Sequence, residues 1–182
     1  MVVWMFVDDY SSISSQVMAE RWNENHPDGP KKDAVDIDYE EIENVFRKTF
    51  RGENIVFRRN MRPTELVGSA PDFYVFDIGG MDMGSSYYYS SGQRGVFSRY
   101  VANALNDHPD TIFVPWSSFT QSYAIGAVSD LILGVGDVDA EWRNDMAPKN
   151  IIFLEESCRS LALIDVQLMD RARELYQARG KK

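Results

Sequence analysis

Short apolar runs alternate with longer stretches whose apolar residues recur every three or four positions. Residues 2–7, 55–57, 73–76, 112–114 and 151–154 are apolar on consecutive positions and bounded by polar or turn-forming residues. Such runs predict strands buried on both faces, as in a parallel sheet covered by helices on either side. Helical periodicity appears in five places. Residues 11–23 carry Ile13, Val17, Met18 and Trp22, with serines available as caps, and 38–50 carry Ile42, Val45, Phe46 and Phe50. Residues 95–105 carry Val96, Phe97, Tyr100, Val101 and Leu105, while 121–133 are apolar nearly all round. Residues 157–178 carry Leu161, Ile164, Leu168, Ala172 and Leu175, with arginines in the last turns, where the helix dipole favours them.

Strands and helices taken in turn predict a β-α alternation and a doubly wound, five-stranded parallel sheet of α/β class. The expected strand order is 2-1-3-4-5, that of flavodoxin-like folds. Residues 1–178 read as one domain and 179–182 as a basic C-terminal tail. Three polar or glycine-rich stretches exceed what the fold needs: 23–37, 79–92 and 134–150. The second, with Tyr87-Tyr88-Tyr89 among serines and glycines, has the composition of an adaptable contact surface.

Composition narrows the function. The chain has 182 residues, a net charge of −9 and a pI near 4.7. Acidic surface opposes binding to nucleic acid or anionic membrane, since both require cations that displace counterions. A protein partner, or a second copy of the chain, is the expectation. A lone cysteine, Cys158, forms no internal disulfide. No apolar run approaches the ~20 residues that span a bilayer, and the start lacks the basic residues of a signal peptide, which together point to the cytoplasm.

Candidate chemistry lies just beyond each strand, because ligands of open parallel sheets bind outside the carboxyl ends. Asp8 and Asp9 come after the first run, Asp77 after the third, Ser117 and Ser118 after the fourth, Glu155 and Glu156 after the fifth. Clustered carboxylates repel, and a hard cation such as Mg²⁺ relieves that repulsion through oxygen ligands. Each aspartate could equally cap a helix or start a turn. His26 and His108 each precede a proline and read as turn residues.

Val7-Asp8-Asp9 resembles the acidic pair that ends the first strand of response-regulator receiver domains. Asp77-Ile78 followed by Met81-Asp82-Met83-Gly84 resembles their phosphoacceptor stretch, and Ser117 falls where they carry a Thr or Ser. The resemblance implies a signalling domain in which Asp8, Asp9 and Asp77 hold Mg²⁺. Asp77 would accept a phosphoryl group and the Ser117 hydroxyl would contact it. The match departs at the end of the fifth strand, where receivers carry a Lys and this chain has Glu155-Glu156, while Lys149 stands at that strand's start. Arg94 is the nearest substitute cation in sequence. Acid in place of an ammonium would repel phosphoryl oxygens, so the expectation is a divergent receiver-like module acting by protein–protein binding. Two alternatives use the same rim: a Mg²⁺-dependent phosphoryl or nucleotide hydrolase employing Asp8, Asp9, Asp77 and Glu155 or Glu156, and a small-ligand or nucleotide binding module.

Overall fold

A computed structural model describes residues 1–7, 13–66, 69–77, 103–117, 149–152 and 161–179. The described strands are β1 (Val2–Val7), β2 (Val56–Arg58), β3 (Phe73–Asp77) and β4 (Ile112–Pro115), and they form an all-parallel sheet in the order β2-β1-β3-β4. The main described helices are α1 (Ile13–Asn25), α2 (Ala34–Thr49) and α3 (Leu161–Arg179). A further helical stretch spans 103–107.

Because side chains alternate across a strand, the apolar runs of β1, β3 and β4 supply both faces of the sheet, whereas β2, at the edge, leaves Val56 47 % exposed. Val3, Met5, Val7, Phe73, Val75, Ile112 and Val114 pack in one core with Tyr39, Ile42, Phe46 and Phe50 of α2 and Leu168, Met169 and Ala172 of α3. Trp4, Phe6, Tyr74, Phe76 and Phe113, at the intervening positions, are also buried. This two-sided burial is why these strands read as unbroken apolar runs. The aromatic centre of the first core is Phe46. Its ring lies 5.2 Å from Phe73, 5.8 Å from Phe50 and 6.3 Å from Phe57, centroid to centroid.

Beyond β4, the Phe113 amide donates to the Asn150 carbonyl at 2.7 Å and the Ile152 amide to the Phe113 carbonyl at 3.1 Å, a single parallel bridge at Ile151. Asn150 also donates from Nδ2 to the carbonyls of Leu105 and His108, both at 3.0 Å. His108 thus closes a turn with its backbone, as its place before a proline predicts. Phe153 and Leu154, the rest of the expected fifth strand, lie outside the described residues, as do 8–12, 78–102, 118–148 and 180–182. Arg179 ends α3, and its guanidinium donates to the Asp110 carbonyl.

Among the described residues strict alternation of strand and helix fails in the first two connections. Two helices separate β1 from β2, and the only described helical element between β2 and β3 is a 3-10 turn, Pro63–Glu65. The chain from β2 to β3 crosses the face that α2 does not cover. There the Arg62 guanidinium lies 5.5 Å from the Phe6 ring centroid, Leu66 is buried, and the Tyr74 hydroxyl donates to the Met61 carbonyl at 2.9 Å.

α1 also departs from expectation. Its buried residues are Ser15 and Ala19, whereas Ile13 is 80 %, Met18 54 % and Val17 38 % exposed. The reason is that α2 occupies the sheet beside β1, so α1 packs on α2 instead. Ser15 donates its hydroxyl to the Asp38 carboxylate across that contact. Trp22 is held by the His26 ring stacked at 3.9 Å and by the Lys32 ammonium 3.5 Å from its centroid.

α2 begins four residues earlier than its apolar stripe predicts. Asp33 caps it, accepting the Asp36 amide at 2.8 Å, while the Asp36 carboxylate accepts the Asp33 amide at 3.3 Å. This reciprocal box satisfies two amides that the first turn would otherwise leave without helical partners. Asp33→Ala should destabilise the protein by about 1 kcal/mol, read as a lower urea midpoint at unchanged slope; no change would mean water replaces the cap without loss.

Candidate functional site at the carboxyl edge

β1 and β3 run in register to their ends, with Val7 opposite Asp77. β3 and β4 pair from Phe73 opposite Ile112 to Phe76 opposite Pro115. The Trp116 amide then donates to the Phe76 carbonyl at 2.9 Å, carrying the pairing one step past β4. That step brings Ser117 beside the end of β3, where its hydroxyl donates to Asp77 Oδ1 at 2.8 Å. Two candidate residues forty positions apart in sequence therefore meet at adjacent strand ends. A hydrogen bond to one carboxylate oxygen restricts the rotation of the group and orients it at the rim. Asp8, Asp9, Ser118, Glu155 and Glu156 lie outside the described residues, as do Arg94, Cys158 and the tyrosine-rich stretch.

Periodicity does not reveal a second feature of this edge. The Tyr39 hydroxyl accepts the amides of Val7 at 3.0 Å and Asn60 at 3.2 Å and donates to Asn60 Oδ1 at 3.1 Å. One phenol thus joins α2, the last residue of β1 and the loop after β2. Asn60 takes a left-handed backbone conformation, with φ of 59°, which asparagine tolerates better than most residues. Burial pushes the Tyr39 phenol up from its usual range, and the two amides it accepts oppose that shift. The available signal was a tyrosine on the apolar stripe of α2, since a buried phenol needs a polar partner.

Among the described residues no three His, Cys, Asp or Glu side chains converge as a metal site. Asp77 is the described member of the implied ligand set. Its oxygens at a strand end, beside a hydroxyl, fit the oxygen-only preference of a hard cation. The opposite edge of the sheet carries an open cavity of about 260 Å³, lined by Phe50, Glu53, Arg173 and Tyr176 among others. It is remote from Asp77 and holds none of the candidate residues.

Fold and rim together define an α/β protein with a parallel sheet whose carboxyl edge presents a carboxylate and a hydroxyl in contact. The chain matches no family model, no curated protein and no solved structure. Among the described residues no helix is long and apolar enough to cross a membrane.

Proposed function

We propose that the chain is a divergent receiver-like domain whose sheet continues past Ile151 as a fifth strand, in the order 2-1-3-4-5. In this reading its carboxyl rim holds Mg²⁺ through Asp8, Asp9 and Asp77, and the domain works by binding a protein partner in the cytoplasm. The observation that carries the reading is the 2.8 Å hydrogen bond from Ser117 to Asp77, the hydroxyl and carboxylate that the resemblance assigns to one site. The register of Val7 with Asp77 supports it, because Asp8 and Asp9 follow Val7 directly in sequence.

The chemistry is governed by charge. Three neighbouring carboxylates repel, and a divalent cation offsets that repulsion. A phosphoryl group on Asp77 would add further negative charge, and the chain has Glu155-Glu156 where receivers place an ammonium. At an effective dielectric of about 20, a charge pair ~5 Å apart is worth ~3 kcal/mol. Exchanging attraction for repulsion is large against the ~1.4 kcal/mol that changes an equilibrium tenfold. Partner binding independent of phosphorylation is therefore the working mode.

Mg²⁺ should raise the melting temperature of the wild type and leave Asp77→Asn unmoved. In metal-free buffer Asp77→Asn should be about 1 kcal/mol more stable than the wild type, because one crowded charge is gone. Acetyl phosphate with Mg²⁺ should leave the intact mass without a stoichiometric adduct. A wild type indifferent to Mg²⁺ would sink the metal site, and full labelling lost in Asp77→Asn would restore a phosphorylation switch.

A further inference from the structure

α1 is surplus to the crossover that it interrupts. One helix suffices to connect two parallel strands, and α2 does so, burying Ile37, Tyr39, Ile42 and Phe46. α1 adds thirteen residues that pack on α2 and turn most of their apolar side chains outward. A helix of this length has little stability of its own in water. Of the exposed apolar residues, Ile13 and Val17 share one outward face, 80 % and 38 % exposed.

The outer face has a defined pattern. At 100° per residue, positions 13, 17, 20 and 24 fall within about 60° of one another. Their spacing of four, three and four is that of a helix–helix seam. The stripe reads Ile13, Val17, Glu20, Glu24, apolar at its start and acidic at its end; Met18 lies on another side of the helix, about 100° from Val17. Glu20 and Glu24 are exposed and take part in none of the ion pairs among the described residues.

We propose that this stripe docks an amphipathic helical segment of a protein partner whose own seam is apolar in one half and basic in the other. Charge decides against a second copy of the chain. In a parallel pair of α1 helices Glu20 and Glu24 would face their own copies. In an antiparallel pair they would face Ile13 and Val17, leaving carboxylates against apolar side chains. Each chain also carries a net charge of −9, which opposes self-association at any orientation. A basic half opposite Glu20 and Glu24 satisfies both carboxylates while the apolar half covers Ile13 and Val17. The proposal deepens the reading of the chain as an interaction module and does not depend on its metal site.

The test uses the full chain and two designed helical peptides of about three heptads. Along its seam one carries two leucines followed by two lysines; in the other, glutamates replace the lysines. Titrated at low salt, the lysine peptide should bind at least tenfold more tightly than the glutamate peptide. It should shift amide resonances of α1 and leave those of β3 unmoved. Glu20→Lys combined with Glu24→Lys should invert the preference, and Val17→Ser should weaken the lysine peptide several-fold. All three positions are exposed, and far-ultraviolet circular dichroism checks that the variants stay folded. Equal binding of the two peptides, or a preference that the charge swap does not invert, would overturn the proposal. So would a dimer in sedimentation that Val17→Ser disperses, since the occupant would then be a second copy. A Mg²⁺-indifferent protein that keeps the peptide preference would fail at its rim alone and leave the docking face standing.

Discussion

Phe46→Ala should destabilise the protein by about 3–5 kcal/mol, the range for truncating a buried phenylalanine. Phe46 is fully buried, and its ring contacts Phe50, Phe57 and Phe73 from α2, β2 and β3. Truncation removes the transfer energy of the ring and leaves a cavity whose walls are held by three separate elements. Those walls collapse poorly, which places the loss toward the upper end of the range. Total stabilities of about 5–15 kcal/mol leave little margin for it. For a chain of this size the melting temperature should fall on the order of 10 °C. Phe46→Leu, which keeps much of the volume, should lose clearly less. Urea denaturation of the three proteins measures this, and a loss under about 1 kcal/mol for the alanine variant would mean that α2 is not the central cover of this face.

Alkaline solution should unfold the protein through its buried phenols. Tyr74 is fully buried, and desolvation pushes its phenol well above the usual tyrosine range, with Tyr39 and the Glu65 carboxylate adding to the shift and Arg62 opposing it. Tyr39 moves the same way. A phenol is neutral when protonated, so the folded state holds these protons above the pKa of about 10 at which the unfolded chain releases them. Between those two values the folded state binds more protons, and stability falls as pH rises. The contribution is complete below pH ~10 and declines by up to about 1.4 kcal/mol per pH unit for each such tyrosine above it. Tyr74→Phe should cost about 1 kcal/mol at neutral pH through the lost hydrogen bond to Met61, and it should reduce the alkaline decline. Urea titrations at pH 8 and at pH 11, with phenolate absorbance followed in parallel, test both parts. An alkaline decline that Tyr74→Phe leaves unchanged would place its origin elsewhere.

How much of this was legible in one dimension depends on the range of the force involved. β1 was readable to its end residues because six consecutive apolar side chains have no helical alternative of that length. β3 and β4 were readable for the same reason, each one residue short at its carboxyl end. The start of α2 was written in Asp33 and Asp36, a local signal three residues apart that the apolar stripe did not include. Asp77 was recognisable as a strand-end carboxylate, and Ser117 as a strand-end hydroxyl, from their positions alone.

By itself the sequence determined the four described strands to within a residue, the stretches that form α1, α2 and α3, the apolar face of α2 and the parallel class of sheet, because backbone propensity and side-chain periodicity act within a few residues. Tertiary structure decided where the first two helices lie relative to the sheet. The apolar residues of α1 are spread around its axis, whereas α2 gathers Tyr39, Ile42 and Phe46 on one side and fills the surface beside β1. α1 keeps Ile13 and Met18 in water. The Tyr39–Val7–Asn60 junction and the contact of Ser117 with Asp77 were likewise undetermined until strand register was set. Register is a pairing between distant segments, and a shift of one residue would turn each side chain to the other face and part the two strand ends.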